Sequence, residues 1–373
     1  MDLNDYFDPL ELADITLPDF YDDKLFSQVQ FYTKTKAINN ISDSQIALIS
    51  ISDNEEEILG NNKIREKLFS LSQIRKPISI YDLGNIKLGK TKKDRYVAVR
   101  DVAIELLKDN VLPILLCKNK DYHYAIYQAY AKLGKNINLT GIDSKIELRS
   151  NLLNEILIKD NNFLFTYNNI GFQQYFVNDK TLLELSKHNH ETCRLGDIRS
   201  DVKIVEPILR DTNSLFVSLS SIKQSESPGN IEASPNGFYG EEICQLLKYG
   251  GISDKISSLA IYGYLLSKDR DNQTSHLIAQ MLWYFLDGFT NRKYEFPNKE
   301  KGAYKKFIVN IDSSNKEIIF YKSENTDRWW VEIPYIASNG EKVYLVPCNY
   351  SDYKKACNNE IPSIWLKVYK KIN

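Results

Sequence analysis

The feature that most constrains this chain is an alternation of short, continuous apolar runs with longer amphipathic stretches. The runs IALISI (46–51), SIYDLG (79–84), LPILLC (112–117), INLTGI (137–142), FLFTY (163–167), SLFVSL (214–219) and SSLAIYG (257–263) are of strand length. They lack a polar face, which is the pattern of strands covered on both sides. Between them, 62–71, 92–108, 123–133, 147–158, 239–249 and 273–290 read as helices. The last places Leu277, Ile278, Met281, Leu282, Phe285, Leu286 and Phe289 on one stripe. Strands alternating with helices predict a mainly parallel sheet with helices on both faces.

The rhythm changes near residue 300. FPNKEKGAYKK is a polar linker, and FIVNI, EIIFYK, RWWVEIPYI and VYLVPC then follow closely enough to be hairpin strands. SDYKKACNNEIPSIWLKVYKKI closes the chain as one or two short helices. The expected organisation is a main α/β domain over 1–300 and an extension over 301–373 packed on it.

Composition excludes several classes. Lys plus Arg number 48 against 49 Asp plus Glu in 373 residues, so no basic excess announces nucleic acid. No apolar stretch approaches the ~18 residues of a membrane span. The acidic start MDLNDYFDPLELAD does not read as a signal peptide. Five cysteines, widely spread and without a CxxC, suit free thiols in a reducing compartment, so a cytoplasmic location is expected.

Several stretches carry chemistry. DSKIE (143–147) follows an apolar run and spaces Asp143, Lys145 and Glu147 so that, extended, all three share one side. The plain reading is a solvated strand-end turn. HNHETC offers His188, His190 and Cys193, a polar loop or a partial metal site. Cys117 with His123 downstream has the residue types of a nucleophile and base, against the plainer reading of a buried inert thiol. His276 reads as a packing or capping residue. GNIKLGKT (84–91) fits the phosphate-loop pattern letter for letter, although its opening overlaps the strand YDLGNI. In DRWWVEIPY, Trp329 and Trp330 face opposite sides of a strand, so one is core and the other is core or interface.

Taken together, YDLGNI, YHYAIYQAY, NLTGIDSKIEL, NNIGFQQYF, RLGDIR and SIKQSESPGNIEASPNGFYGEE resemble the ureohydrolase (arginase, agmatinase, formimidoylglutamase) superfamily. The likeness is nearest to the formimidoylglutamase-like proteins of Bacteroidetes. It implies a three-layer α/β/α arginase-like sandwich with about eight parallel strands, plus a small C-terminal β/α extension. It also implies hydrolysis of a guanidinium or formimino carbon by a hydroxide bridging two manganese ions, and a trimer or hexamer.

The family supplies metal ligands from the motifs G-G-x-H, D-A-H-x-D and S-x-D-x-D. Matched to this sequence, those positions are Lys120, then Asp143, Lys145 and Glu147, then Ser218 and Ser220; the later substrate glutamate falls at Gly263. Only Asp143 is kept. An ammonium has no lone pair for a metal, and a hydroxyl poorly replaces a bridging carboxylate. The resemblance therefore predicts a pseudoenzyme with no metal cofactor and no catalytic residue. It would act as a scaffold or binding module for an unknown protein partner or for itself. Lys120 and Lys145 would fill the old metal space and pair with Asp143 and Glu147, because buried charges must be paired. Two alternatives stand beside it. One is an amidine hydrolase with a rearranged or single-metal site drawing on His123, Asp143, Glu147 and His188 or His190. The other is a metal-free sensor whose lysines meet an anionic ligand.

Overall fold

A computed structural model of the chain describes residues 1–17, 22–87, 89–148, 151–159, 162–297, 304–311, 316–337 and 340–373. The expected boundary at 300/301, Leu88 of the phosphate-loop-like stretch and residues 149–150 of the helix expected over 147–158 lie outside the described residues.

The main sheet is built from β1 (Phe7–Asp8), β2 (Val29–Phe31), β3 (Ile46–Ile51), β4 (Ile80–Ile86), β5 (Leu112–Cys117), β6 (Ile137–Ile142), β7 (Leu164–Phe172), β8 (Glu191–Arg194), β9 (Ser214–Ser218) and β10 (Ser258–Tyr262). Their order is β1-β4-β3-β5-β10-β9-β6-β7-β8, with β2 also on β4. Among the described residues nine strands run parallel and only β1 is antiparallel. The resemblance implies about eight; the seven apolar runs account for seven of the nine, and the other two are the short pieces β2 and β8, which carry too few residues for a pattern.

The connecting helices are α1 (Glu55–Phe69), α2 (Lys92–Lys108), α3 (His123–Lys132), α4 (Asn151–Asn154), α5 (Asp179–Lys187), α6 (Leu195–Ser200), α7 (Glu206–Asp211), α8 (Gly240–Ile252) and α9 (Gln273–Thr290). The long helix expected over 147–158 is replaced by α4 and a π-helical turn at Glu155–Lys159. Capping sets several starts. The Asn54 side chain accepts from Glu57 N at 3.0 Å ahead of α1. Thr91 and Asp94 form a reciprocal capping box on α2. The hydroxyl that a phosphate loop would offer to magnesium is therefore engaged as a cap.

Successive strand residues feed opposite cores. Ile46 and Leu48 of β3 join one apolar cluster with α1, α8 and α9, while Ala47, Ile49 and Ile51 join another with α2 and α3. In β10, Leu259 and Ile261 divide from Ala260 and Tyr262 in the same way. This two-sided burial makes three layers. α8 and α9 pack closely because Gly251 and Gly288 meet backbone to backbone; a Cβ on Gly251 would stand 2.2 Å from the Phe285 carbonyl.

The C-terminal element is a second, antiparallel sheet in the order β11 (Tyr304–Ile311), β12 (Lys316–Ser323), β13 (Trp329–Ala337) and β14 (Gly340–Cys348), followed by α10 (Tyr350–Cys357) and α11 (Ser363–Ile372). One face packs Phe320, Val331, Ile333, Trp365 and Val368 into its own core. Trp329 and Trp330 are both buried, at 7% and 1% exposure, so neither offers the exposed interface aromatic that the sequence left open. No helix among the described residues is long and apolar enough to cross a membrane.

Candidate functional site

Parallel sheets gather their loops at the carboxyl ends of the strands, where ligands bind in open α/β folds. Here β5, β6, β9 and β10 are adjacent in the sheet and deliver Lys120, Asp143, Ser218 and Gly263 to that end. A cavity of about 580 Å³ opens there; Lys120, Glu147, Ser218, Glu232, Tyr262 and Gly263 are among its walls.

Lys120, on its wall, is held by an ion pair. Lys120 Nζ lies 3.2 Å from Asp143 Oδ2, with the two side chains 24% and 3% exposed. Asp143 Oδ1 accepts from Ser220 Oγ at 2.7 Å and from the Lys145 backbone N–H at 3.1 Å. Ser220 in turn is 2.8 Å from Ser218 Oγ. Both carboxylate oxygens are thus occupied. Burial pulls the Lys120 pKa down, but Asp143, with Glu147 and Glu232 further off, outweighs it and leaves the ammonium above the usual lysine value.

Lys145 departs from the expected pairing. Its ammonium turns to Glu232 Oε2 at 3.2 Å and lies 5.4 Å from the Phe176 ring centre. Glu147 is exposed on the cavity wall. Gly263 has φ +97°, a conformation in which any side chain is strained.

The histidines do not join this group. His123 is fully buried, with Nδ1 2.9 Å from Tyr262 Oη and Nε2 2.9 Å from Ser214 Oγ. Burial lowers its pKa to about 3, which keeps the ring neutral. His190 takes the Tyr167 backbone N–H at 3.1 Å, and its pKa is also lowered to about 3, first by burial and then by Lys371. It precedes β8 and so sits toward the opposite end of the sheet from Asp143; His188 ends α5 beside it. His276 is exposed on α9 rather than packed. The Cys117 thiol is buried, donates to the Asn119 carbonyl at 3.3 Å, and is pushed well above its usual pKa by burial. Among the described residues no base is positioned against it.

Residues that the sequence did not single out complete the cavity. Asp53, Glu57, Asp121 and Glu232 line it together with Glu147, five carboxylates against Lys118 and Lys120. Glu232 lies in SIKQSESPGNIEASPNGFYGEE, a Ser-, Pro- and Gly-rich stretch that follows β9, and that position after a strand is the signal that could have found it. Asp53 closes the run ISISD.

No protein-family model matches the chain. It is 22% identical over 289 residues to the formimidoylglutamase of Staphylococcus haemolyticus (strain JCSC1435), covering 70% of this chain and 92% of that one. Its fold is similar to Trypanosoma cruzi formiminoglutamase solved with Mn2+2, with TM-score 0.64, 16% identity, and coverage of 73% and 99%. It is also similar to formimidoylglutamase from Bacillus subtilis subsp. subtilis str. 168, with TM-score 0.64, 18% identity, and coverage of 76% and 98%.

These neighbours correct the expectation that no metal cofactor accompanies the chain: manganese is the group carried by a solved relative of this fold. The residues present at the strand ends do not fit such a pair as they stand. Among the described residues no three His, Cys, Asp or Glu side chains converge to hold a metal ion. The one retained carboxylate, Asp143, is met by an ammonium and a hydroxyl. The chain is thus similar in sequence to formimidoylglutamases over most of their length, and it shares the fold of solved ureohydrolases.

Proposed function

We propose that this chain uses the ureohydrolase fold as a binding module, taking a small molecule through its cationic amidine or guanidino group at the strand ends without hydrolysing it. The observation that carries this reading is the Lys120–Asp143 contact of 3.2 Å, which places a protonated amine where a nucleophile would have to be generated. Five carboxylates line the cavity with Lys118 and Lys120; Arg95 pairs with Asp53 and Lys145 with Glu232, so acidic groups exceed the cations by one, a field that favours a cationic group. Lys120 and Lys145 are both engaged by carboxylates, which argues against the anion-sensing alternative.

Calorimetric titration with N-formimino-L-glutamate, agmatine and arginine tests the reading. Saturable binding of at least one of them, weakened several-fold in Glu232→Gln, is the expected result. No binding by any of the three would overturn it.

A second reading, hydrolysis of a non-peptide C–N bond in an amidine, is supported by the likeness to formimidoylglutamase across 92% of the staphylococcal relative. It requires Lys120 to leave Asp143. Catalytic turnover that disappears in Asp143→Asn would favour it over the first.

A further inference from the structure

We propose that the seam between α7 and the C-terminal sheet is a second binding site, for a small molecule carrying a phosphoryl dianion. The stretch DRWW, which the strand-end pocket leaves unexplained, supplies Arg328 just ahead of β13, and α7 supplies Arg210. Their side chains are only 12% and 7% exposed.

Both guanidinium groups lean on one carboxylate. Glu206 Oε1 is 3.2 Å from Arg210 Nε and 3.7 Å from Arg328 Nε. The first is close enough for charge pairing but is not directed as a hydrogen bond. Arg210 Nη2 donates to the Trp329 and Cys348 carbonyls at 3.1 and 3.3 Å, and its guanidinium lies 4.6 Å from the Trp330 ring centre. Nε and Nη1 of Arg210 and Nη1 of Arg328 are then enclosed without a hydrogen-bond acceptor among the described residues. Enclosed donors without acceptors are costly, and more so on a cation. Burial lowers the pKa of Arg210, with Glu206 opposing and Arg328 adding to the effect.

The charge count points to the ligand. A cavity of about 720 Å³ opens at this seam, with Lys203 on its wall beside the two arginines, within the size range of small-molecule sites. Lys203 is exposed and has no carboxylate partner among the described residues, whereas Lys322 is closed off by Asp327 at 2.6 Å. Among the lining residues, with Lys322 and Asp327 paired off, these three cations face one carboxylate, Glu206. The surplus of two positive charges is matched by a phosphoryl dianion, whose oxygens suit guanidinium geometry. A single carboxylate would leave one charge unmatched. The aromatic rings of Trp329 and Tyr350, 5.5 Å apart, border the same space. This cavity shares no lining residue with the strand-end pocket, so the inference stands apart from the proposed function.

The test is calorimetric titration of the full chain with inorganic phosphate and with phenyl phosphate at matched ionic strength, with benzoate as the singly charged control. Saturable binding of at least one phosphate is expected, weakened about tenfold or more in Arg328→Gln and measurably in Lys203→Gln. These two positions are chosen because Arg210 is deeply packed and its variants risk misfolding. Lys120→Met is expected to bind phosphate as the parent does. Absence of saturable phosphate binding, affinity unchanged in Arg328→Gln, benzoate binding as tight as phosphate, or loss of binding in Lys120→Met would each overturn the assignment.

Discussion

Arg65–Asp82 and Lys120–Asp143 are both basic–aspartate pairs attached to the main sheet, and they differ in what surrounds them. Arg65 and Asp82 are each 0% exposed. Arg65 Nε and Nη2 grip the two oxygens of Asp82 at 2.7 and 3.0 Å, and Nη2 also reaches Ser50 Oγ at 2.9 Å. The fork ties α1 to β4 and β3 with no opening to solvent. Lys120 and Asp143 make a single contact beside a cavity that Lys120 lines, with the lysine 24% exposed. A forked, sealed pair fixes geometry; a single-point pair beside a cavity can exchange its partner for a ligand. The difference separates a structural staple from a site. The arginines at the seam with the C-terminal sheet are a third case, because they share one carboxylate and leave three donors unused.

The largest expected effect tests the staple. Asp82→Asn should cost about 3–5 kcal/mol in denaturant unfolding, because it strands a buried guanidinium. A loss below about 1 kcal/mol would break the comparison from that side.

Next comes acid. His123 and His190 each have a folded-state pKa of about 3, below the usual 6.5. A group with a depressed folded pKa contributes stability above its unfolded pKa and loses it as pH falls. Stability should therefore decline from about pH 6.5 toward pH 3, by roughly 3 kcal/mol per histidine at pH 4, and His123→Gln should flatten part of that slope. Lys120 behaves oppositely. Its folded pKa is raised, so its contribution is complete below about pH 10.5 and is lost only as pH rises through the higher folded value. A neutral-to-acid slope that follows Lys120→Met instead of the histidines would contradict both assignments.

A smaller change is expected from Lys120→Met, about 1–2 kcal/mol, since Asp143 keeps Ser220 and the Lys145 N–H. If that loss equals the cost of Asp82→Asn, the two pairs are not different in kind. The smallest stability effect belongs to Glu232→Gln. Its pair with Lys145 is partly exposed, so stability should move by less than about 1 kcal/mol while cation binding weakens.

Much of the scaffold was legible from residues alone. Continuous apolar runs of strand length such as IALISI and INLTGI suit strands covered twice, and both are fully buried. The stripe from Leu277 to Phe289 marks α9 because its period is 3.6. The pairing of Lys120 with Asp143 is expected only through the resemblance, which matches both residues to one set of metal-ligand positions. Its detail does not follow. Lys145 has a loop glutamate within reach, and nothing in DSKIE specifies Glu232 over Glu147. Asp82 inside an apolar run is a sign of a buried partner, but Arg65 is one of many helix cations until the fold brings α1 onto β4. The seam arginines depend on two distant segments meeting, which no local pattern encodes.

The most direct test of the central claim is a proton NMR time course of N-formimino-L-glutamate with the full chain at near-stoichiometric concentration and manganese supplied. Signals broadened or shifted by binding, with no glutamate released over hours, are what the binding-module account predicts. Glutamate release above the protein-free rate, abolished by Asp143→Asn, would contradict it and establish the chain as an amidine hydrolase.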